Sequence, residues 1–341
     1  MASKWILRKG SKEKGFTYLA ADGRVLRNKP ELDRIDALRI PPAWKDVHIA
    51  ASGRTAIQAW GMDARGRKQY RYHPRAVQKG EMRKHYRVRE MARDLPGIRA
   101  RLNADFRKRA LTKERVCAGV LRLIADGFFR VGSERYERDN NTFGITTLRK
   151  KHVFVDGDSI IFDYVGKRSI RHRHVLSSPD LARFVKNLLG TPGTRLFRYQ
   201  ADGHWNNVDA REINDYLQDI ASFPYTAKDF RTWGGSLRAA TVLADLGAGS
   251  SANERKKNVV TAVRLVSSEL GNTPAICRKS YVHPIIIARY LKSGAVIQPE
   301  TKSKRSSKES RAPFAHSPEE RSLIAFLDEH FPERRRERRD E

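Results

Sequence analysis

From Lys151 to Gly190 the chain contains the run KHVFVDGDSIIFDYVGKRSIRHRHVLSSPDLARFVKNLLG. Its alternating apolar and polar residues predict short strands, separated by two turn-forming pairs, Asp156-Gly157 and Gly166-Lys167. The predicted strands are Val153–Val155, Ser159–Val165 and Ser169–Val175. Ser178-Pro179 then predicts the start of a helix, because proline fits the first helical turn and glycine the position after the last. This stretch therefore predicts a three-stranded β insert followed by a helix.

The segments on both sides of the insert have helical patterns. From about Gly80 onward, apolar residues recur at helical spacing. Thr112, Thr226 and Ser251 can each cap a helix, and an acid three residues later completes a capping box at the last two. We therefore expect residues 81–300 to form a mainly α domain that contains the insert.

Residues 1–80 have short strand-like runs and turns instead. Asp22-Gly23 predicts a hairpin turn after the strand Phe16–Leu19, and one short helix, Glu31–Leu38, is stopped by Pro41-Pro42. Further strands are predicted at Val47–Ala50, Thr55–Trp60 and Lys68–Tyr72. The predicted fold class is therefore α+β, with a small β-rich N-terminal domain before the larger mainly α domain.

Residues 301–341 form a third region. The run KSKRSSKESR predicts a flexible linker, and Ser317-Pro318 predicts the start of one amphipathic helix. The last residues, RRRERRDE, predict a disordered end.

The net charge of +29, from 68 basic and 39 acidic side chains, predicts a polyanionic partner. Charges are nearly balanced in residues 301–341, so the excess belongs to the predicted domains and favours a shaped site for nucleic acid. No apolar run approaches the roughly 18 residues of a membrane span, and no signal peptide is recognised. Two cysteines, isolated histidines and the lack of a phosphate-binding glycine motif predict an intracellular protein without metal, nucleotide or other cofactor.

Cutting a phosphodiester without a metal requires a nucleophile, cations for the phosphoryl oxygens and an acid for the departing oxygen. Tyrosine can attack from an electropositive site, and arginine suits phosphate because its planar group donates two hydrogen bonds and keeps its charge. The chain has candidates of each kind: Arg130, Lys167, Arg231, Asn272 and Tyr281.

The predicted elements give each candidate a local position. Arg130 follows a helix, and Arg231 is predicted in the first turn of another, where the helix N-terminus already favours an anion. Lys167 falls at the tip of a hairpin expected to be mobile. Asn272 follows a helix stop, and Tyr281 falls between two short helices that prolines start. Spacing alone does not assemble the five residues, because each is by itself more often a surface or core residue.

Six strings in order, covering roughly residues 30–290, carry a family resemblance: IPPAWKDVHIA, GRKQYRYHP, RVGSERYERDNNTFGITTLRKKHV, VGKRSIRH, KDFRTWGGSLRA and SYVHP. The chain resembles type IB DNA topoisomerases of the small poxvirus-like and bacterial branch. The resemblance implies two domains that form a clamp around duplex DNA. It also implies a monomer that acts at the nucleoid, in the cytoplasm, and relaxes supercoils without ATP or metal.

The resemblance also implies roles for the candidates. Tyr281 looks like the nucleophile that forms a 3′-phosphotyrosyl link, and Arg130 and Arg231 resemble the pair that holds the nonbridging oxygens. Lys167 resembles the acid for the 5′ oxygen. Asn272 stands where the poxvirus pattern has histidine, as a hydrogen-bond donor to a phosphoryl oxygen.

Four further residues match positions that contact DNA in the family: Gln69, Tyr70, Tyr72 and Tyr136. For the first three the alternative is cross-strand packing, since alternate strand residues face inward.

Two other functions remain open from the residues. A tyrosine recombinase shares the chemistry, but Lys228 occupies the place of its usual histidine, and its N-terminal domain is helical. A non-catalytic basic protein that coats or bends DNA would need no nucleophile.

Overall fold

The computed structural model describes residues 5–221, 223–299 and 313–331. It divides the chain into two compact units, one up to Lys84 and one from His85. The predicted linker KSKRSSKESR and the predicted disordered end RRRERRDE lie outside the described residues.

The first unit is built on a five-stranded antiparallel sheet with the order β2-β1-β3-β4-β5. The strands are β1 Trp5–Ser11, β2 Gly15–Leu19, β3 Lys45–Ala50, β4 Ile57–Met62 and β5 Lys68–Tyr72, and helix α1 spans Lys29–Ala37. Ile6, Ile49 and Ala59 are buried on one face of the sheet with Ile35 of α1. Successive side chains of a strand point to opposite faces of the sheet, so alternate apolar residues gather on one face and form this core.

Strand β1 was missing from the sequence prediction, although it lies between β2 and β3. Its first residues, Trp5, Ile6 and Leu7, are consecutive apolar residues without alternation. Only pairing on both sides identifies this segment as a strand.

The second unit is mainly helical. From residue 113 onward its helices are α3 Lys113–Gly127, α4 Glu134–Asn140, α5 Pro179–Leu189, α6 Ala210–Ile220, α7 Ala227–Leu246, α8 Ala252–Leu270, α9 Pro274–Ser280, α10 Pro284–Ser293 and α11 Pro318–His330. Helix α2 spans Pro74–Phe106, so the helical pattern expected from about Gly80 begins earlier, at a proline that suits a first turn. Together with the β-rich first unit, this arrangement confirms the α+β fold class.

The predicted capping residues lie at the starts of three helices of the second unit. Thr112 Oγ1 accepts a hydrogen bond from Arg115 N at the start of α3, whose interior side chains are almost all buried. At the start of α7, Asp229 Oδ2 accepts from both N and Oγ1 of Thr226, 2.9 Å in each case. Ser251 Oγ accepts from Glu254 N at the start of α8. Local capping therefore fixes where these helices begin.

The three-stranded insert is present as β6 Val153–Asp156, β7 Ser159–Gly166 and β8 Ile170–Ser177, in antiparallel order. A second hairpin, β9 Arg198–Ala201 with β10 His204–Asn207, was missed. Its turn is Asp202-Gly203, and both residues have positive φ, as in a type I′ turn. The Asp-Gly pair was a usable signal, but the strands are short and too polar to show alternation.

No described helix is long and apolar enough to cross a membrane.

Candidate active site

Arg130 lies just beyond α3, where Phe128 ends the helix in the left-handed conformation. Its Nη2 donates to the backbone oxygen of Gly271 and to Oδ1 of Asn272, at 2.6 Å each. The tertiary fold therefore brings together Arg130 and Asn272, which are 142 positions apart in the chain.

Arg231 is the fifth residue of α7, one turn inside the helix, so the prediction that it lies in the first turn at the anion-binding N-terminus was wrong. Two other side chains reach that N-terminus: Arg87 pairs with Asp229 at 3.0 and 2.8 Å, and Asn214 Oδ1 accepts from Ala227 N at 3.0 Å. Arg231 instead lies inside the unit, only 3% exposed, and its Nη2 donates to the backbone oxygen of Leu270 at 2.9 Å. Burial lowers the pKa of its guanidinium.

Among the described residues, neither Arg130 nor Arg231 forms an ion pair with a carboxylate. Within the same part of the chain, the buried Nε of Arg231 also has no hydrogen-bond partner. A buried cation without a counter-ion is unfavourable. The two arginines therefore form a site to which an anion would add the missing charge and hydrogen bonds.

Tyr281 lies between α9 and α10, as predicted, and is half-buried. The guanidinium carbon of Arg231 is 5.2 Å from the centroid of its ring. Burial alone would raise the pKa of the Tyr281 hydroxyl. The positive charge of Arg231 and a hydrogen bond from it, with smaller effects of Lys228 and Arg130, outweigh burial and lower the pKa. The phenolate, the nucleophilic form, is thus easier to form at this position than in an ordinary tyrosine.

Lys167 is exposed on the three-residue loop between β7 and β8. Its neighbours Arg168 and Ser169 have positive φ. In the described structure no hydrogen bond or ion pair joins Lys167 to Arg130, Arg231 or Tyr281. The fold therefore assembles four of the five candidates and leaves Lys167 on the adjacent hairpin.

The sequence predicts no metal role for the histidines, and it does not predict that His172 belongs to the site. It is 7% exposed on β8, and its Nε2 lies 3.4 Å from Nη1 of Arg130. Burial, then the charges of Arg130 and Arg231, lowers its pKa to about 4. A Cβ on Gly271 would lie 2.2 Å from His172 Cε1, so the ring fills the space beside the phosphate-binding candidates. The alternation that places residue 172 on the inner face of the hairpin was the available signal. No group of three or more potential metal ligands occurs among the described residues.

The three DNA-contact candidates of the first unit lie on β5. Tyr70 and Tyr72 are 39% and 51% exposed, and their rings stack with centroids 5.7 Å apart. Gln69 Nε2 donates to Asp63 Oδ2 at 3.0 Å. The tyrosines therefore pack against each other while keeping exposed surface.

Tyr136 lies on α4 and is 49% exposed. The preceding Gly132 has φ 108°, and a Cβ there would lie 3.2 Å from backbone atoms of Gly144. Glycine is required at that position by the backbone.

Residues 73–307 match the family described as "Eukaryotic DNA topoisomerase I, catalytic core", and residues 15–63 match "Bacterial DNA topoisomerase IB, N-terminal domain". The DNA topoisomerase 1B of Acanthamoeba polyphaga mimivirus is 33% identical over 285 residues, which are 81% of this chain and 84% of the relative. The DNA topoisomerase 1B of Vaccinia virus (strain Copenhagen) is 23% identical over 273 residues, 77% of this chain and 83% of the relative. The DNA topoisomerase 1 of Rabbit fibroma virus is 26% identical over 293 residues, 79% and 87% of the two chains.

Proposed function

The chain belongs to the type IB DNA topoisomerase family, and on that premise we propose that it relaxes supercoiled duplex DNA by cutting and rejoining one strand. The observation that carries the proposal is the pairing of Tyr281 with Arg231, a buried guanidinium that has no carboxylate partner among the described residues. Such a cation can both favour the phenolate and bind the phosphate that the phenolate attacks.

The proposed reaction is a transesterification. The phenolate oxygen of Tyr281 attacks phosphorus, the P–O bond to tyrosine forms, and the bond to the 5′ oxygen breaks. Arg130 and Arg231 neutralise the nonbridging oxygens, and Lys167 gives its proton to the leaving 5′ oxygen. Religation reverses each step. The chain requires no ATP, because the phosphotyrosyl link retains the energy of the original diester, and it requires no metal, because arginines supply the positive charge.

Asn272 has two functions in this proposal. Its oxygen accepts from Arg130 and so orients that guanidinium. Its amide nitrogen carries two N–H groups: one lies toward the backbone oxygen of Leu270 at 3.4 Å, and the other can donate to a phosphoryl oxygen. An amide carries no charge, so we expect its contribution to be smaller than that of an arginine.

Gln69, Tyr70, Tyr72 and Tyr136 are proposed DNA contacts. The exposure of the three tyrosines supports this assignment, since a ring has to be accessible to touch a base or sugar. A duplex substrate also motivates the proposals of a monomer and of a nucleoid location in the cytoplasm. The clamp around DNA stays a prediction.

The deciding experiment is plasmid relaxation in EDTA without ATP, with wild type beside Tyr281→Phe. Tyr199→Phe is the matched control, because it removes a hydroxyl that bonds Glu212 away from the candidate site. Wild type and the control should relax the plasmid, and Tyr281→Phe should not. Denaturant added during the reaction should trap a covalent protein–DNA adduct at Tyr281.

The same assay separates the alternatives. A non-catalytic DNA-binding protein would give no adduct, and its effect on DNA would survive Tyr281→Phe. A recombinase would form the adduct but also exchange strands between two duplexes, and the family matches to topoisomerases argue against it.

A further inference from the structure

The C-terminal helix α11 is docked on the second unit at both of its ends. Near its start, Glu320 is 4% exposed and accepts two hydrogen bonds from Arg99, at 2.9 and 2.6 Å. Just past its end, the backbone oxygen of Phe331 accepts from Nη1 of Arg89 at 2.6 Å. The helix lies beyond residues 73–307, the part that matches the catalytic core family. Its docking is therefore a feature for which the family match assigns no role.

The ring of Phe331 reaches the segment that follows the nucleophile. It stacks on Tyr86, with centroids 4.5 Å apart and ring planes at 28°, and lies edge-on to His283 at 4.7 Å. His283 is 2% exposed and also packs on His85, with centroids 4.4 Å apart. We call these four residues the ring cluster.

His283 is joined to Tyr281 through Ser236 of α7. The backbone nitrogen of His283 donates to Ser236 Oγ at 2.9 Å. The single proton of that hydroxyl is shared between the backbone oxygens of Thr232, at 2.8 Å, and Tyr281, at 3.2 Å. Helix α7 also approaches closely here, since a Cβ on Gly235 would lie 2.9 Å from that same oxygen. The backbone of residues 281–283 is thus held on the helix that carries Arg231.

We infer that α11, through Phe331 and the ring cluster, positions Tyr281 for attack. The inference rests on the proposed function, because it takes Tyr281 as the nucleophile. The Phe331 ring, at the end of α11, packs against His283. Ser236 of α7 accepts a hydrogen bond from the backbone of the same short segment. Phe331, His283 and Ser236 are positioning residues in this scheme, since their contacts in the described structure are with the backbone and rings around the nucleophile.

The physical reason is the short range of in-line attack. The phenolate oxygen has to lie close to phosphorus and in line with the leaving group, and a displacement of about 1 Å can reduce a rate about a hundredfold. Tyr281 lies between two short helices and outside a regular element. Its backbone therefore depends on neighbouring elements for a fixed place.

Single-turnover cleavage tests the inference. Excess enzyme is mixed with a duplex whose cut releases a short 5′-hydroxyl strand, so that religation cannot follow. Phe331→Ala should slow cleavage about tenfold or more. Phe331→Tyr, which keeps the ring, should cleave at nearly the wild-type rate. Phe326→Ala is the matched control, because Phe326 is a buried ring of α11 that packs on His330 instead of His283. It should leave the rate within about twofold, a change of less than about 0.5 kcal/mol in the barrier.

Two further measurements separate positioning from general damage. Thermal melts and duplex affinity should change equally in the Phe331→Ala and Phe326→Ala variants. Ser236→Ala should also slow cleavage, and the double variant with Phe331→Ala should be slowed by less than the product of the two single effects, because both act on one segment.

Equal slowing by Phe331→Ala and Phe326→Ala, or strictly multiplicative effects in the double variant, would overturn the inference. Failure of the proposed function has a different signature, since wild type would then form no adduct at Tyr281. A wild-type adduct together with an unchanged rate in Phe331→Ala rejects the positioning role alone.

Discussion

Nε2 of His172 lies 3.4 Å from Nη1 of Arg130. This contact connects the hairpin that carries Lys167 with a proposed phosphate-binding arginine. Because the pKa of His172 is lowered to about 4, the ring is neutral near neutral pH and can accept from a cation. A charged ring at the same position would repel Arg130 and compete with it for the phosphate.

We expect His172→Phe to make the folded protein less sensitive to acid. An unfolded histidine takes up a proton near 6.5, whereas His172 does so only near 4, so the unfolded state binds more protons between these values. Its stabilising contribution is therefore complete above 6.5 and is lost as the pH falls toward 4. Melting temperatures across this interval should fall less in the variant, by about 2–4 °C for each kcal/mol removed.

His204→Phe is the control for that measurement, because His204 is an exposed residue of β10. An equal acid sensitivity of wild type and His172→Phe would show that His172 is not buried in its neutral form.

Arg231→Ala should shift the pH dependence of cleavage upward. The charge of Arg231 outweighs burial and lowers the pKa of Tyr281, so its removal raises that pKa and leaves less phenolate at a given pH. Single-turnover rates measured against pH should therefore level off at higher pH in this variant. Arg231→Lys keeps a charge and should shift the profile less. An unchanged profile in Arg231→Ala would contradict the electrostatic link.

Asn272→Asp should impair cleavage more than Asn272→Ala. The aspartate is nearly the same size as asparagine, but its carboxylate would form an ion pair with Arg130 and repel the phosphate. The alanine variant only loses a neutral partner, and we expect it to be about tenfold slower than wild type, as for a modest electrostatic donor. Cleavage rates at saturating enzyme provide the comparison. If the aspartate variant is the faster of the two, Arg130 does not act as a phosphate-binding cation.

Lys167→Ala should slow cleavage of ordinary DNA by about a hundredfold or more, the usual range for a general acid. When sulfur replaces the 5′ oxygen at the cut site, the leaving thiolate needs no proton. Lys167→Ala should therefore cleave this substrate at nearly the wild-type rate. Arg168→Ala is the control, because Arg168 is exposed in the same loop. Without rescue by the sulfur substrate, Lys167 is not the acid.

DNA binding by Tyr281→Phe should be strongly dependent on salt. The net charge of +29 implies that phosphate contacts dominate affinity. Raising salt from about 50 to about 200 mM should weaken binding by about 10³-fold or more if several phosphates are neutralised. Titration of a labelled duplex measures this directly. Affinity that hardly changes with salt would contradict a phosphate-dominated interface.

Local patterns predicted those elements whose signals lie within a few residues. The Asp156-Gly157 turn and the alternating runs identified the insert, and Thr112, Thr226 and Ser251 marked helix starts. Strand β1 was missed because its pairing comes from β2 and β3. Arg231 was predicted at the anion-binding end of α7, but the cap at Thr226 gives only the start of the helix. It does not give the direction of the Arg231 side chain, which is buried one turn further on.

By itself the sequence determined the α+β class, the strong positive charge and the place of Tyr281 between two proline-started helices, since these depend on composition and on neighbours along the chain. Only the tertiary structure decided that Arg130 meets Asn272, that Arg231 is buried beneath the Tyr281 ring, and that His172 of the hairpin contacts Arg130. Those contacts join residues that are 42 to 142 positions apart along the chain. Packing of the core sets such distances, and no local spacing encodes them.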